Sequence, residues 1–258
     1  MNGPGRGVLL LWALLAEVGP AWTAPKDPWN YEVVRGGMAD IPPGSHVEGS
    51  LRAGGTQPDY VVDLDSPEFQ PLLRFARGQR DSRASYWEKI RLLLDYIRGQ
   101  VLVGRDYHEP RYVELVARYR GLEQDVPLSR YIGVSAGVCR EYALITHLAL
   151  KAAGIPNRHV YALIHHAKNG SYLLEDHGFT VVRHDGEEWV VDAYFDSFNG
   201  YRLSDLRGPD GIGPNSPYAP IARQVPDFRR IVQINDYPTV WIPSARPRAA
   251  GTLSRPGL

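Results

Sequence analysis

Apolar residues recur at intervals of three and four in SPEFQPLLRFARGQ from Ser66 and again in SRASYWEKIRLLLDYIRGQVL from Ser82. That spacing lays one apolar stripe along a helix. Ser85 is placed to cap the second of these helices, and Gly99 lies near its end. EPRYVELVARYRG predicts a third, shorter helix stopped at Gly121, and REYALITHLALKAAG predicts a fourth, running from Cys139 to a stop at Gly154 and Pro156. The texture then turns to strands: RHVYALIHH, HGFTVVRH and EWVVDAYF, and later RIVQIND and TVWI. Asp185-Gly186 between the second and third predicts a tight hairpin. Helices first and an antiparallel sheet afterwards indicate an α+β fold rather than a βαβ wind. Residues 25–65 are dense in Gly and Pro without sustained period and read as an irregular N-terminal arm or linker. The domain is expected over 66–245, with a flexible tail over 246–258.

Composition narrows the function. Lys plus Arg and Asp plus Glu both number 29, so no net field argues for nucleic acid as a partner. A single cysteine excludes an intramolecular disulfide and a thiolate-cluster metal site. No phosphate-cradling or dinucleotide glycine motif is present, and Asp63-Leu64-Asp65 lacks the spacing of a calcium loop. No cofactor and no metal are therefore expected. Residues 1–24, MNGPGRGVLLLWALLAEVGPAWTA, have Arg6, an apolar run from Val8 to Ala16 and then small residues. This is the layout of a signal peptide, and the run is too short for an integral membrane span. A secreted or periplasmic protein is expected; a buried N-terminal helix on a cytoplasmic protein is the alternative.

Taken alone, Cys139 would be a small buried hydrophobe. Its neighbours change that reading. At the first turn of a helix the backbone N–H groups favour a thiolate, and Gly137 lets the backbone approach closely. His177 opens one strand of the predicted hairpin and Asp192 sits in the other, so the two fall near each other across the ladder. Thiol, imidazole and carboxylate then form a Cys-His-Asp triad by role. His165 and His166 point to opposite faces of a strand and cannot easily share one ion; His166 is placed at the cleft. His147 reads as structural and His184 as solvated.

GVCREYALITHLALKAAGIPNRHVYAL, then HGFTVV, then EWVVDAYFD, resembles the core of the transglutaminase-like superfamily, the papain-like group with a Cys-His-Asp triad. The resemblance covers roughly residues 85 to 200. It implies a papain-like core with Cys139 as nucleophile, His177 as base and Asp192 as its orienter. Ala193-Tyr194 stands where the family often has Pro-Thr, which leaves Asp196 as a rival to Asp192. The Cys139 N–H is one expected oxyanion donor; Tyr131, or a Gln or Trp from the N-terminal half, is a candidate for the other. Gly137, Gly178, Tyr131 and His166 are the expected cleft residues. The resemblance implies acyl transfer from a carboxamide or peptide bond through a thioester, on a protein or peptide substrate, as protease, deamidase or cross-linking enzyme. The alternatives are a secreted effector deamidating a target glutamine, and a non-catalytic binding module of the same fold.

Overall fold

A computed structural model describes residues 30–35, 38–50, 56–168, 171–206, 229–234 and 239–244. The leader expected at 1–24 and the tail at 246–258 lie outside these residues. A 3₁₀ turn Pro67–Phe69 leads into α1 (Gln70–Asp81), followed by α2 (Tyr86–Tyr96) and α3 (Pro110–Gly121). Each buries the stripe its spacing predicts: Leu72, Leu73 and Ala76; Ile90, Leu93 and Leu94; Tyr112, Leu115 and Val116. Every fully buried Leu or Ile of this set contributes about 2 kcal/mol of transfer free energy. The Ser85 side chain accepts the Glu88 N–H, capping α2 as expected. That helix runs on through a π-helical turn, Ile97–Val101.

The central element is α5 (Cys139–Ala152), in which every residue from Cys139 to Leu150 is buried. It packs against α1 and α2 and against strands β6 (Asn157–Lys168) and β7 (Ser171–His184). A helix surrounded in this way needs a clean exit. Gly154 supplies it at φ 71°, with Gly154 N–H on the Lys151 carbonyl and Ile155 N–H on the Leu150 carbonyl, both at 2.9 Å.

β6 pairs antiparallel with β7 along its whole length, and β7 pairs with β8 (Glu187–Val191). Asp185 at φ 50° and Gly186 at φ 81° form the expected hairpin turn, whose twist matches that of its strands. β2 (Met38–Ala39) and β9 (Arg229–Ile234) both pair with β6. A second sheet has the order β1-β10-β3-β4-β5. In it β1 (Tyr31–Arg35) lies antiparallel on β10 (Thr239–Pro243), β3 (His46–Val47) and β4 (Tyr60–Val61) follow, and β5 (Val126–Pro127) joins β4 in parallel. The described part of 25–65 therefore supplies four strands, and β10 belongs to this sheet rather than to the hairpin's. Strands of two residues carry no readable period, and their partners are remote in sequence. A short α4 (Leu128–Gly133) and α6 (Leu203–Leu206) complete the described elements.

Two buried histidines give the fold an acid limit. His147 accepts the Ile41 N–H at Nε2 (3.0 Å) and sets Nδ1 against the Asn157 side-chain oxygen (2.6 Å), which suits a neutral ring. Burial holds its pKa down at about 4 and that of His159 at about 3. As pH falls below about 6.5 the unfolded chain protonates first, so stability is lost from there down to about 3. Asp63 and Glu141, both raised by burial, act in the opposite sense. Urea unfolding followed by circular dichroism is expected to show stability falling by about 2 kcal/mol or more between pH 7 and pH 5. His159→Leu, which removes a buried Nε2 with no hydrogen-bond partner among the described residues, should flatten the fall.

Candidate active site

The nucleophile's position is set by the entry to α5. Val138 is extended, its N–H bonds to Glu141 Oε2 at 2.9 Å, and Cys139 follows as the first helical residue. Its own N–H has no intrahelical partner, as at every helix start. A Cβ on Gly137 would meet Glu141 Cβ at 3.0 Å and Leu102 Cδ1 at 3.2 Å, so this glycine permits the tight turn before the cysteine. A Cβ on Gly178 would lie 3.2 Å from the Cys139 carbonyl oxygen and 3.2 Å from Ala143 Cβ. Gly178 thus lets α5 lie directly on β7, which brings Cys139 to the strand that carries His177.

His177 is in the middle of β7, not at its start as expected, because the strand begins at Ser171. Thr180 pairs with Val191, which sets Asp192 opposite Phe179 and diagonal to His177 on the same face. Asp192 Oδ2 lies 2.7 Å from His177 Nε2. Its Oδ1 accepts the Phe195 N–H at 3.1 Å, and Asp192 and Ser197 exchange backbone bonds of 2.7 and 2.9 Å. The carboxylate is held from both ends. Its sequence rival, Asp196, is exposed and forms an ion pair with Arg98.

The Cys139 side chain is near enough to act on the imidazole. With Nε2 engaged by Asp192, Nδ1 is the ring nitrogen left to face a reacting group. Burial pulls the imidazole pKa down, but the Asp192 charge, its hydrogen bond and the Cys139 contact outweigh burial and raise it to about 9. Cys139, His177 and Asp192 are only 5%, 4% and 6% exposed, so little solvent screens these charges. Phe195 (4.6 Å between ring centres) and Phe179 (6.1 Å) flank the imidazole.

One hydroxyl at the sulfur went unread in the sequence: Tyr107 Oη lies 4.0 Å from Cys139 Sγ. Tyr131, the expected cleft tyrosine, is instead fully buried against the rings of Tyr60 and Tyr112. His166 falls in the stretch of β6 whose side chains lie outside the described ones. Among the described residues no group of three His, Cys, Asp or Glu side chains is placed to hold a metal ion. A pocket of about 650 Å³, lined by Tyr31, His46, Asp63, Ser129 and Arg130 among others, contains none of the triad.

The sequence profile of the transglutaminase-like superfamily core matches residues 74–202. The chain belongs to the transglutaminase-like superfamily. The matched span runs from α1 through the Asp192 loop and so contains the whole candidate site. β1 to β4, β9 and β10 lie outside the matched span. Two solved structures are similar at low identity. A proposed cysteine protease from Cytophaga hutchinsonii is 16% identical, with 64% of this chain and 49% of that chain covered and a TM-score of 0.33. This chain thus spans about half of that protein's length. The periplasmic domain of TgpA from Pseudomonas aeruginosa is 14% identical, with 69% and 76% covered and a TM-score of 0.34. No curated protein sequence matches the chain.

Proposed function

We propose that the chain is a cysteine-dependent acyl-transfer enzyme acting on a carboxamide or peptide bond. The observation that carries this reading is the buried grouping of Cys139, His177 and Asp192, with Asp192 Oδ2 2.7 Å from His177 Nε2. The Cys139 sulfur attacks the acyl carbon, and its electron pair forms the S–C bond while the C=O pair moves to oxygen. The carbonyl then re-forms and the C–N bond breaks, with the His177 proton passing to the departing nitrogen. The thioester that remains is resolved by an acceptor whose proton returns to the neutral imidazole. Water gives hydrolysis or deamidation; an amine gives transfer. Asp192 fixes the ring and balances its charge throughout. Export to the periplasm or medium, on the leader reading of residues 1–24, is part of the proposal.

Trapping the acyl-enzyme tests this. Incubation with a glutamine peptide or casein in the presence of hydroxylamine is expected to give a hydroxamate. Cys139→Ala should give none. Turnover by Cys139→Ala would overturn Cys139 as the nucleophile, and absence of an acyl-enzyme from both donors in the wild type would replace the enzyme reading with the binding module. Adding a lysine analogue with the productive donor then distinguishes transfer from hydrolysis by the mass of the product.

A further inference from the structure

An acyl transfer at Cys139 builds negative charge on an oxygen one bond from the attacked carbon, and that oxygen needs donors. The Cys139 N–H at the start of α5 is one. We infer that the Tyr107 hydroxyl is the second oxyanion donor, an assignment that rests on the acyl-transfer reading and goes beyond its triad. Tyr107 is accordingly a catalytic residue rather than a packing residue.

The distance supports this role over a bond to the sulfur. At 4.0 Å the hydroxyl is at the outer limit of a contact with Sγ. In the tetrahedral intermediate the oxyanion sits about 2.7 Å from Sγ, and a donor about 2.9 Å from that oxygen, approaching at a right angle, falls about 4 Å from the sulfur. The hydroxyl is therefore spaced for the oxygen that forms during reaction. It also keeps its proton: burial, then the charges of Cys139 and Glu141, raise its pKa far above the neutral range. Although 48% of the residue surface is exposed, the hydroxyl is directed inward to the sulfur.

Preorganisation is the second requirement, and the loop that carries Tyr107 meets it. Gly104 bridges to Ala136: its N–H bonds to the Ser135 carbonyl at 3.0 Å, and its carbonyl accepts the Gly137 N–H at 3.1 Å. A Cβ on Gly104 would lie 2.9 Å from Glu109 Cγ and 3.1 Å from Ala136 Cβ, so only glycine fits where the two loops meet. The loop with the donor is thereby joined to the loop with the nucleophile. On the far side Tyr194 donates to the Arg105 carbonyl at 3.0 Å, which joins it to the Asp192 turn. Asp106 closes the next turn through the His108 N–H at 2.8 Å, and the Tyr107 ring stands edge-on to Tyr112 at 6.2 Å. The donor is fixed before the charge appears.

Two reagents separate this role from a structural one. p-Nitrophenyl acetate acylates through an oxyanion: the sulfur pair forms the S–C bond, the C=O pair moves to oxygen and returns, and p-nitrophenolate leaves with the C–O pair. Iodoacetamide alkylates by displacement at a saturated carbon and forms no oxyanion. Tyr107→Phe keeps the ring and is expected to slow acetylation of Cys139 about 100-fold, while alkylation changes by less than about threefold. Acetylation within about threefold of wild type would overturn the assignment. So would an equal loss with both reagents, since the hydroxyl would then act on the thiolate or on the fold. If the acyl-transfer reading itself were wrong, the wild type would acetylate no faster than a free thiol while Tyr107→Phe matched it, a distinct result.

Discussion

Replacing His177 by alanine is expected to slow alkylation of Cys139 by iodoacetamide about 100-fold at pH 6 and by less than about threefold above pH 9.5. The sign follows from the proton balance of the imidazole. In the folded chain it binds its proton up to about pH 9, so its charge stands beside the sulfur across the neutral range and is lost above it. Below that limit a protonated imidazole stands near the sulfur, and in the variant that charge is absent at every pH. Intact-mass kinetics between pH 5 and pH 10 give both curves. Parallel curves across that range would mean that the ring does not activate the sulfur.

Elements whose signal is local were legible in the sequence. The stripes of α1, α2 and α3, the cap at Ser85, the glycine exit of α5 and the Asp185-Gly186 turn each lie within a few residues of what they control. The second sheet was not legible. β3, β4 and β5 are two residues each, too short for alternation to register, and β1 finds its partner at β10 across almost the whole described chain. α4 is a helix of six residues next to Pro127, with no second turn on which a stripe could repeat.

The candidate site divides in the same way. Cys139 is placed by a helix start, and His177 and Asp192 by one hairpin register, so pattern and turn chemistry reach all three. Tyr107 reaches the sulfur only because Gly104 and Ser135 join two loops through backbone bonds that neither segment signals by itself. Tyr131, the candidate tyrosine from the sequence, falls on the inner side of α4 and fills core. Gly137 and Gly178 were legible as close-approach positions, but not what approaches them: the Glu141 and Leu102 side chains at Gly137, and Ala143 Cβ with the Cys139 carbonyl at Gly178.

Asp192→Asn is expected to lower turnover by about 10⁴-fold while leaving the chain folded. The amide keeps an oxygen for the Phe195 N–H, and the backbone exchange with Ser197 does not involve the side chain, so the turn that holds residue 192 persists. The charge beside His177 does not. Burial, the largest influence on this imidazole, then acts without its main counterweight and pulls the ring's pKa below the ordinary value of about 6.5. The asparagine amino group can also donate to Nε2, which moves the ring proton to Nδ1 and aims it at the sulfur, leaving no base to accept a proton there. A proton titration of the His177 ring, its resonance assigned by loss in His177→Ala, should move from a midpoint near pH 9 in wild type to below 6.5 in the variant. The alkaline limit of turnover belongs to the same group, since loss of the proton above about pH 9 leaves nothing to protonate the departing nitrogen. A midpoint unmoved by the substitution would show that Asp192 neither charges nor orients the ring. A moved midpoint with turnover intact would show that the imidazolium is not the acid that releases the amine.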